Sequence, residues 1–160
     1  MFIRVLAVII LLFAPCCCTF ADQNVFQAEI SYAEKLPSNF FGTWRVKSVL
    51  SETDSPANFK KKNVDIWNIS RQGNVISIKN PFSGAQVSIN LNYADEDTIE
   101  FSKTSNYEGK RLTDTVKISI DGDSFLGENI ILLETLSGVD GSVIKTATAK
   151  YSLIGEKIAQ

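Results

Sequence analysis

From Phe40 onward, apolar and polar residues alternate with a period of two. Val87, Ile89, Leu91 and Tyr93 are separated by Ser88, Asn90 and Asn92. Ile99 and Phe101 flank Glu100, and Val116, Ile118 and Ile120 flank Lys117 and Ser119. Successive side chains of a strand point to opposite faces, so each run predicts a strand with one wet and one dry face. Clusters of Gly, Asn, Asp and Pro separate the runs: Gly73-Asn74, Asn80–Gly84, Asp95-Glu96-Asp97, Asp121-Gly122-Asp123 and Gly138–Gly141. These are hairpin signals. They delimit eight strands: Thr43–Leu50, Val64–Arg71, Val75–Lys79, Ala85–Tyr93, Thr98–Thr104, Thr113–Ile120, Phe125–Leu136 and Val143–Ile154. Short links make sequence neighbours spatial neighbours, and eight meandering strands with one dry face remove their open edges best by closing. The fold expected is all-β, a single eight-stranded antiparallel up-and-down barrel over residues 40–160. A flattened sandwich tolerates the same pattern. The longest connection, Ser51–Asn63, is expected to lie over one barrel mouth.

The first 39 residues read differently. Met1-Phe2-Ile3-Arg4 is a singly positive leader, Val5–Ala14 is unbroken apolar, and Thr19-Phe20-Ala21 is a small-x-small site. This predicts a signal peptide over residues 1–21, cut after Ala21, and hence a secreted or periplasmic protein. A retained signal anchor is the rival, since Val5–Ala21 reaches the lower limit of about 17 residues for a bilayer span. Cys16, Cys17 and Cys18 all lie here, and lipidation at one of them is the other rival, although Pro15 before Cys16 suits a lipobox poorly. Residues 22–39 form the only stretch with helical spacing: Val25, Glu29, Tyr32 and Leu36 share one face, and Phe26, Ile30 and Ala33 another. Pro37-Ser38-Asn39 ends it. A short helix or arm against the barrel is expected.

After cleavage the chain has neither Cys nor His, which removes disulfides, thiol nucleophiles, His-based triads and the common zinc sites. The mature charge is one unit more negative than the −2 of the whole sequence, because Arg4 leaves with the signal. A mildly acidic surface argues against nucleic acid or anionic lipid as a partner. No carboxylate pair stands out from surface alternation and turns, so no enzyme, metal or cofactor is expected. Asp95-Glu96-Asp97 and Asp121-Gly122-Asp123 lack calcium-loop spacing and read as turns. Asn68-Ile69-Ser70 is a glycosylation sequon that matters only in a eukaryotic host.

Gly42-Thr43-Trp44 opens the first strand. A Gly-x-Trp at that place resembles the signature of the lipocalins and the wider calycin group. The resemblance implies that Trp44 closes the barrel floor and Gly42 lets the chain turn into the strand. It also implies a small hydrophobic or amphipathic ligand inside the barrel. The sequence departs from that pattern elsewhere. The turn before the seventh strand reads Asp121-Gly122-Asp123 instead of a Thr-Asp-Tyr-like motif, and no Arg follows Arg111 to stack on the Trp. Lys150 is the cation considered for that role.

The candidate ligand-binding residues are Trp44, Trp67, Ile89, Tyr93, Phe101, Ile118 and Asn129. Trp44 reads first as a plug. Trp67 lies in a run apolar on both faces, and packing under the arm or lining a cavity are equally open. Ile89, Tyr93, Phe101 and Ile118 fall on dry faces and are core in a filled barrel or lining in a hollow one. Asn129 is either a polar group inside the barrel or the mark of a bulge after Gly127. Lys60-Lys61-Lys62 reads as a solvated loop sooner than as an anion gate. The alternative to a ligand binder is a filled barrel that binds an envelope or extracellular protein through Ser51–Asn63, Ser105–Lys110 and the N-terminal arm.

Overall fold

The computed structural model describes residues 32–159. The expected signal peptide, its cysteines and the first part of the arm lie outside the described residues. Nine strands follow one another: β1 (Gly42–Thr53), β2 (Lys62–Gln72), β3 (Val75–Lys79), β4 (Gln86–Ser88), β5 (Asn90–Ala94), β6 (Thr98–Tyr107), β7 (Lys110–Asp121), β8 (Ser124–Leu136) and β9 (Val143–Ala159). Residues 32–35 are helical, and a 3-10 turn at Ser38–Phe40 leads into β1.

All pairings are antiparallel, in the order β4-β3-β2-β1-β9-β8-β7-β6-β5. The first and last long strands therefore lie side by side. β4 and β5 stand at opposite ends of the order, yet Ile89 alone joins them. The sheet must curl until its ends meet, which makes a nearly closed antiparallel barrel. This corrects the expected strand count from eight to nine. The expected strand Ala85–Tyr93 is split: residues 86–88 pair with β3, the Ile89 amide donates to Ile76 O at 3.0 Å, and residues 90–94 pair with β6. Alternation records which face is dry, but not which neighbour a strand pairs with.

Several turns are tighter than expected. β6 and β7 run on to a two-residue hairpin at Glu108-Gly109, where both residues have positive φ (47° and 71°) as a right-twisted hairpin requires. The expected contact loop Ser105–Lys110 is thus mostly strand. A bulge between Leu91 and Tyr93 reverses the local alternation. It turns Ala94 into the core and leaves Tyr93 42% exposed, its hydroxyl donating to Asp95 at 2.7 Å. Asp95 also accepts the Thr98 amide at 2.7 Å, which is turn chemistry. No bulge follows Gly127; it pairs with Ile118 in unbroken register.

The interior is densest at one end. Phe40, Trp44, Phe101 and Phe125 are fully or almost fully buried, with Trp67 beside them. Trp44 and Phe125 have ring centroids 5.2 Å apart, Trp67 stacks on Phe125 at 6.1 Å, and Phe40 meets Phe101 at 6.3 Å. Such offset and tilted pairs stabilise beyond the area they bury. Gly155, opposite Phe125, leaves room for its ring, because a Cβ there would stand 2.1 Å from it. The Trp44 indole N–H donates to Phe40 O at 2.9 Å, so the plug has its one polar need met. The cation over Trp44 is Lys157, with Nζ 5.4 Å from the ring centroid and donating to Asn39 O at 2.9 Å. Lys150, the residue considered for that role, instead pairs with Glu128 on the neighbouring strand.

On the β7–β8 ladder Arg111 grips Glu134 with two hydrogen bonds, of 2.6 and 2.9 Å. Those bonds hold the Glu134 carboxyl below its ordinary pKa. A depressed carboxylate contributes stability above its unfolded pKa of about 4.3 and loses it as pH falls through the folded value. Wild type should therefore exceed Glu134→Gln in urea midpoint at neutral pH, and the gap should close at lower pH. The effect is small, since Arg111 is 42% exposed.

Candidate functional site

Above the aromatic floor the barrel is not filled. A cavity of about 380 Å³ opens toward the end where β1 passes into β2 and β6 into β7. That is within the range of small-molecule pockets, about 300–1,000 Å³. Strand parity builds it. Each strand that supplies an aromatic or aliphatic residue to the floor supplies further residues at even spacings, two to eight positions along the same face. β1 gives Val46 and Ser48, β2 gives Trp67, Asp65 and Asn63, and β6 gives Lys103 and Tyr107. β7 gives Asp114 and Leu112, β8 gives Asn129, Ile131 and Leu133, and β9 gives Leu153 and Tyr151. The walls are therefore mixed, with apolar rungs between polar ones.

The segment between β1 and β2, residues 54–61, covers part of the opening, as expected for the longest connection. Asn58, Phe59 and Lys60 reach the cavity. Two anchors hold the segment. Tyr151 Oη donates to Lys60 O at 3.0 Å, and the Asp54 carboxylate accepts the Thr148 amide and hydroxyl at 2.8 Å each. Those two bonds hold Asp54 below its ordinary pKa, while burial pushes the Tyr151 phenol up. Both groups thus keep, at neutral pH, the protonation states their bonds require.

The polar wall is one connected cluster. Lys103 Nζ lies 2.8 Å from Asp114 Oδ2, and Asn129 Nδ2 donates to Asp114 Oδ1 at 3.2 Å. Asp114 is 5% exposed, the one charged residue among the buried described residues. A carboxylate so buried needs a partner on each oxygen, and it has one on each. Because the Asn129 amide nitrogen faces a carboxylate, the amide orientation is chemically determined. Its Oδ1 is buried without a partner among the described residues. Across the cavity, Asp65 Oδ2 accepts the Trp67 indole N–H at 3.3 Å, and Asp65 Oδ1 accepts from the Ile66 amide and Asn80.

Of the seven residues selected from the sequence, Trp67 and Asn129 line the cavity. Trp67 is both floor and lining, and Asn129 is the polar inward group rather than a bulge marker. Trp44, Phe101 and Ile118 are buried below the cavity and serve as floor and core, and Ile89 is buried at the β4–β5 break. Tyr93 faces outward because of its bulge. Lys103 and Asp114 were missed. A signal for them exists in the alternation. Lys103 is in phase with Ile99 and Phe101, Asp114 is in phase with Val116 and Ile118, and opposite charges at inward positions of consecutive strands mark a paired interior. The sequon is an unpromising acceptor. Asn68 sits within β2, paired on both sides, and donates to Thr43 Oγ1 at 2.9 Å.

No protein-family model matches the chain, and no curated protein matches it. Among solved structures, that of EF1p2_mFAP2b bound to DFHBI is similar to it, with a TM-score of 0.43 and 14% identity over 79% of this chain and 97% of that one.

Proposed function

We propose that this chain is a ligand-binding barrel holding one small amphipathic molecule between its aromatic floor and the 54–61 segment. The observation that carries the reading is the cavity itself: about 380 Å³, semi-enclosed, and lined by apolar residues together with a paired Lys103–Asp114 cluster on one wall. A barrel selected only as a rigid scaffold would gain stability by filling that space, since voids and buried ion pairs contribute little or cost stability. In this reading residues 1–21 direct export and are removed, and the barrel binds its ligand outside the cytoplasm in the manner of a lipocalin. The ligand's apolar body lies against Trp67, Leu112, Ile131, Leu133 and Leu153, and its polar end meets the Lys103–Asp114–Asn129 cluster.

The direct test is a titration with the neutral, environment-sensitive dye 6-propionyl-2-dimethylaminonaphthalene. Saturable one-to-one binding with a blue-shifted emission is expected. Leu133→Trp, which fills the cavity from β8, should weaken it by about tenfold or more. Absence of saturable binding in the wild type, with only the bare chain mass in native mass spectrometry of protein from its exporting host, would overturn the reading. It would turn attention to the outer face, where Leu126 and Ile154 pair across β8 and β9 while 65% and 47% exposed.

A further inference from the structure

We propose that the cavity selects a ligand whose polar end is an uncharged hydrogen-bond acceptor, such as a ketone or amide carbonyl, with Lys103 as its donor. This rests on the ligand-binding reading above and narrows it. Four charged residues reach the cavity, Lys60 and Lys103 against Asp65 and Asp114, so the lining is formally neutral. Of the two lysines, Lys103 is the one seated in the polar cluster of the wall, and it has donor capacity to spare. Its ammonium carries three N–H groups, its side chain is 26% exposed, and the partner it has is Asp114 at 2.8 Å. A carbonyl oxygen can take a second N–H while the first stays on Asp114.

An anionic end cannot be accommodated so simply. A ligand carboxylate bound to Lys103 would share that cation with Asp114. Asp114 is 5% exposed and has Lys103 as its cationic partner among the described residues; its other bond comes from a neutral amide. Two carboxylates on one ammonium leave a net negative charge in a poorly solvated place, which is costly. The buried Asn129 carbonyl oxygen, without a partner among the described residues, adds further negative potential beside Asp114. At this cluster an ammonium end meets the converse problem, since it would approach Lys103. The internal pair thus makes the site a donor of hydrogen bonds rather than a charge acceptor.

Three naphthalenes of nearly equal shape separate the alternatives: 2-acetylnaphthalene, 2-isopropylnaphthalene and 2-naphthoate. Each competes with the bound dye on the intact barrel. The acetyl compound should displace it at concentrations about tenfold lower than either of the other two. Lys103→Met combined with Asp114→Asn removes both charges together, and should bring the acetyl compound down to the level of the isopropyl compound. Far-UV circular dichroism of that variant reports its folding, and the wild-type series stands without it. Equal displacement by acetyl and isopropyl compounds would show an apolar site that ignores the head group. Tightest displacement by naphthoate would show an anion site. Either result overturns this inference and leaves the ligand-binding reading intact. Failure of the dye and all three compounds to bind overturns both.

Discussion

Replacing Trp44 by Ala should lower the unfolding free energy by about 4 kcal/mol, in the range for a fully buried Trp→Ala change of about 3–5 kcal/mol. Trp44 is 0% exposed at the start of β1, and three sets of contacts converge on it. Its ring packs on Phe125 at 5.2 Å, its N–H donates to Phe40 O, and Lys157 of β9 lies over its face. Removing the ring leaves a void under Phe125 and frees the Phe40 carbonyl. It also unseats Phe40, the residue through which the N-terminal turn plugs the barrel end. Urea unfolding followed by far-UV circular dichroism gives the loss. Trp44→Phe, which keeps an aromatic ring but not the N–H, should lose about 1–2 kcal/mol. Equal losses for the two variants would show that the hydrogen bond to Phe40, not the ring, secures the floor. Near-wild-type stability for both would remove Trp44 from the role of plug.

Gly127→Ala should cost about 3 kcal/mol, the upper part of the usual range for overpacking. A Cβ at this position would stand 2.2 Å from the Lys117 backbone oxygen and 2.8 Å from Ile118 Cγ2. The oxygen belongs to the β7 backbone paired with β8, so it cannot swing aside as a side-chain tip can. The two strands would have to separate within their ladder, at the fourth pair from the hairpin, beside the buried Ile118 and one turn of the pleat from Asn129 in the cavity wall. Gly138 is the control, with nothing among the described residues within 4 Å of its would-be Cβ and no positive φ. Gly138→Ala should stay within about 0.5 kcal/mol of wild type. Because the strain at Gly127 lies next to the site, the same variant should also weaken dye binding under conditions where it remains folded.

Both positions show where sequence reasoning reached and where it stopped. Trp44 was legible as a plug, because a large aromatic beside Gly42 at the start of a strand has few other uses. Gly127 was legible only as an exception inside an alternating run. A bulge and a close backbone approach leave the same mark in sequence, and only the register with Ile118 separates them. The same limit explains Tyr93. Its place in the Val87-Ile89-Leu91 alternation is regular, and the bulge after Leu91 is an adjustment of pairing with β6 that the local pattern does not record.

The period-two alternation and the turn residues by themselves determined the all-β character, the antiparallel meander, seven of the strand positions and the long segment over the barrel mouth. These are local properties: each depends on a residue's own face preference or on a turn's backbone geometry, and both are written within a few residues. Closure through the split strand at Ile89 was decided by the tertiary structure, because it depends on which two strands meet at the ends of a curled sheet. The site was decided there too. Lys103 and Asp114 are eleven positions apart on different strands, and each shows in the sequence only as a charge in phase with apolar neighbours. Their pairing 2.8 Å apart, above an aromatic floor assembled from β1, β2, β6 and β8, exists only once the strands are in register. A cavity is the volume that side chains leave unfilled, and no single stretch of sequence carries that volume.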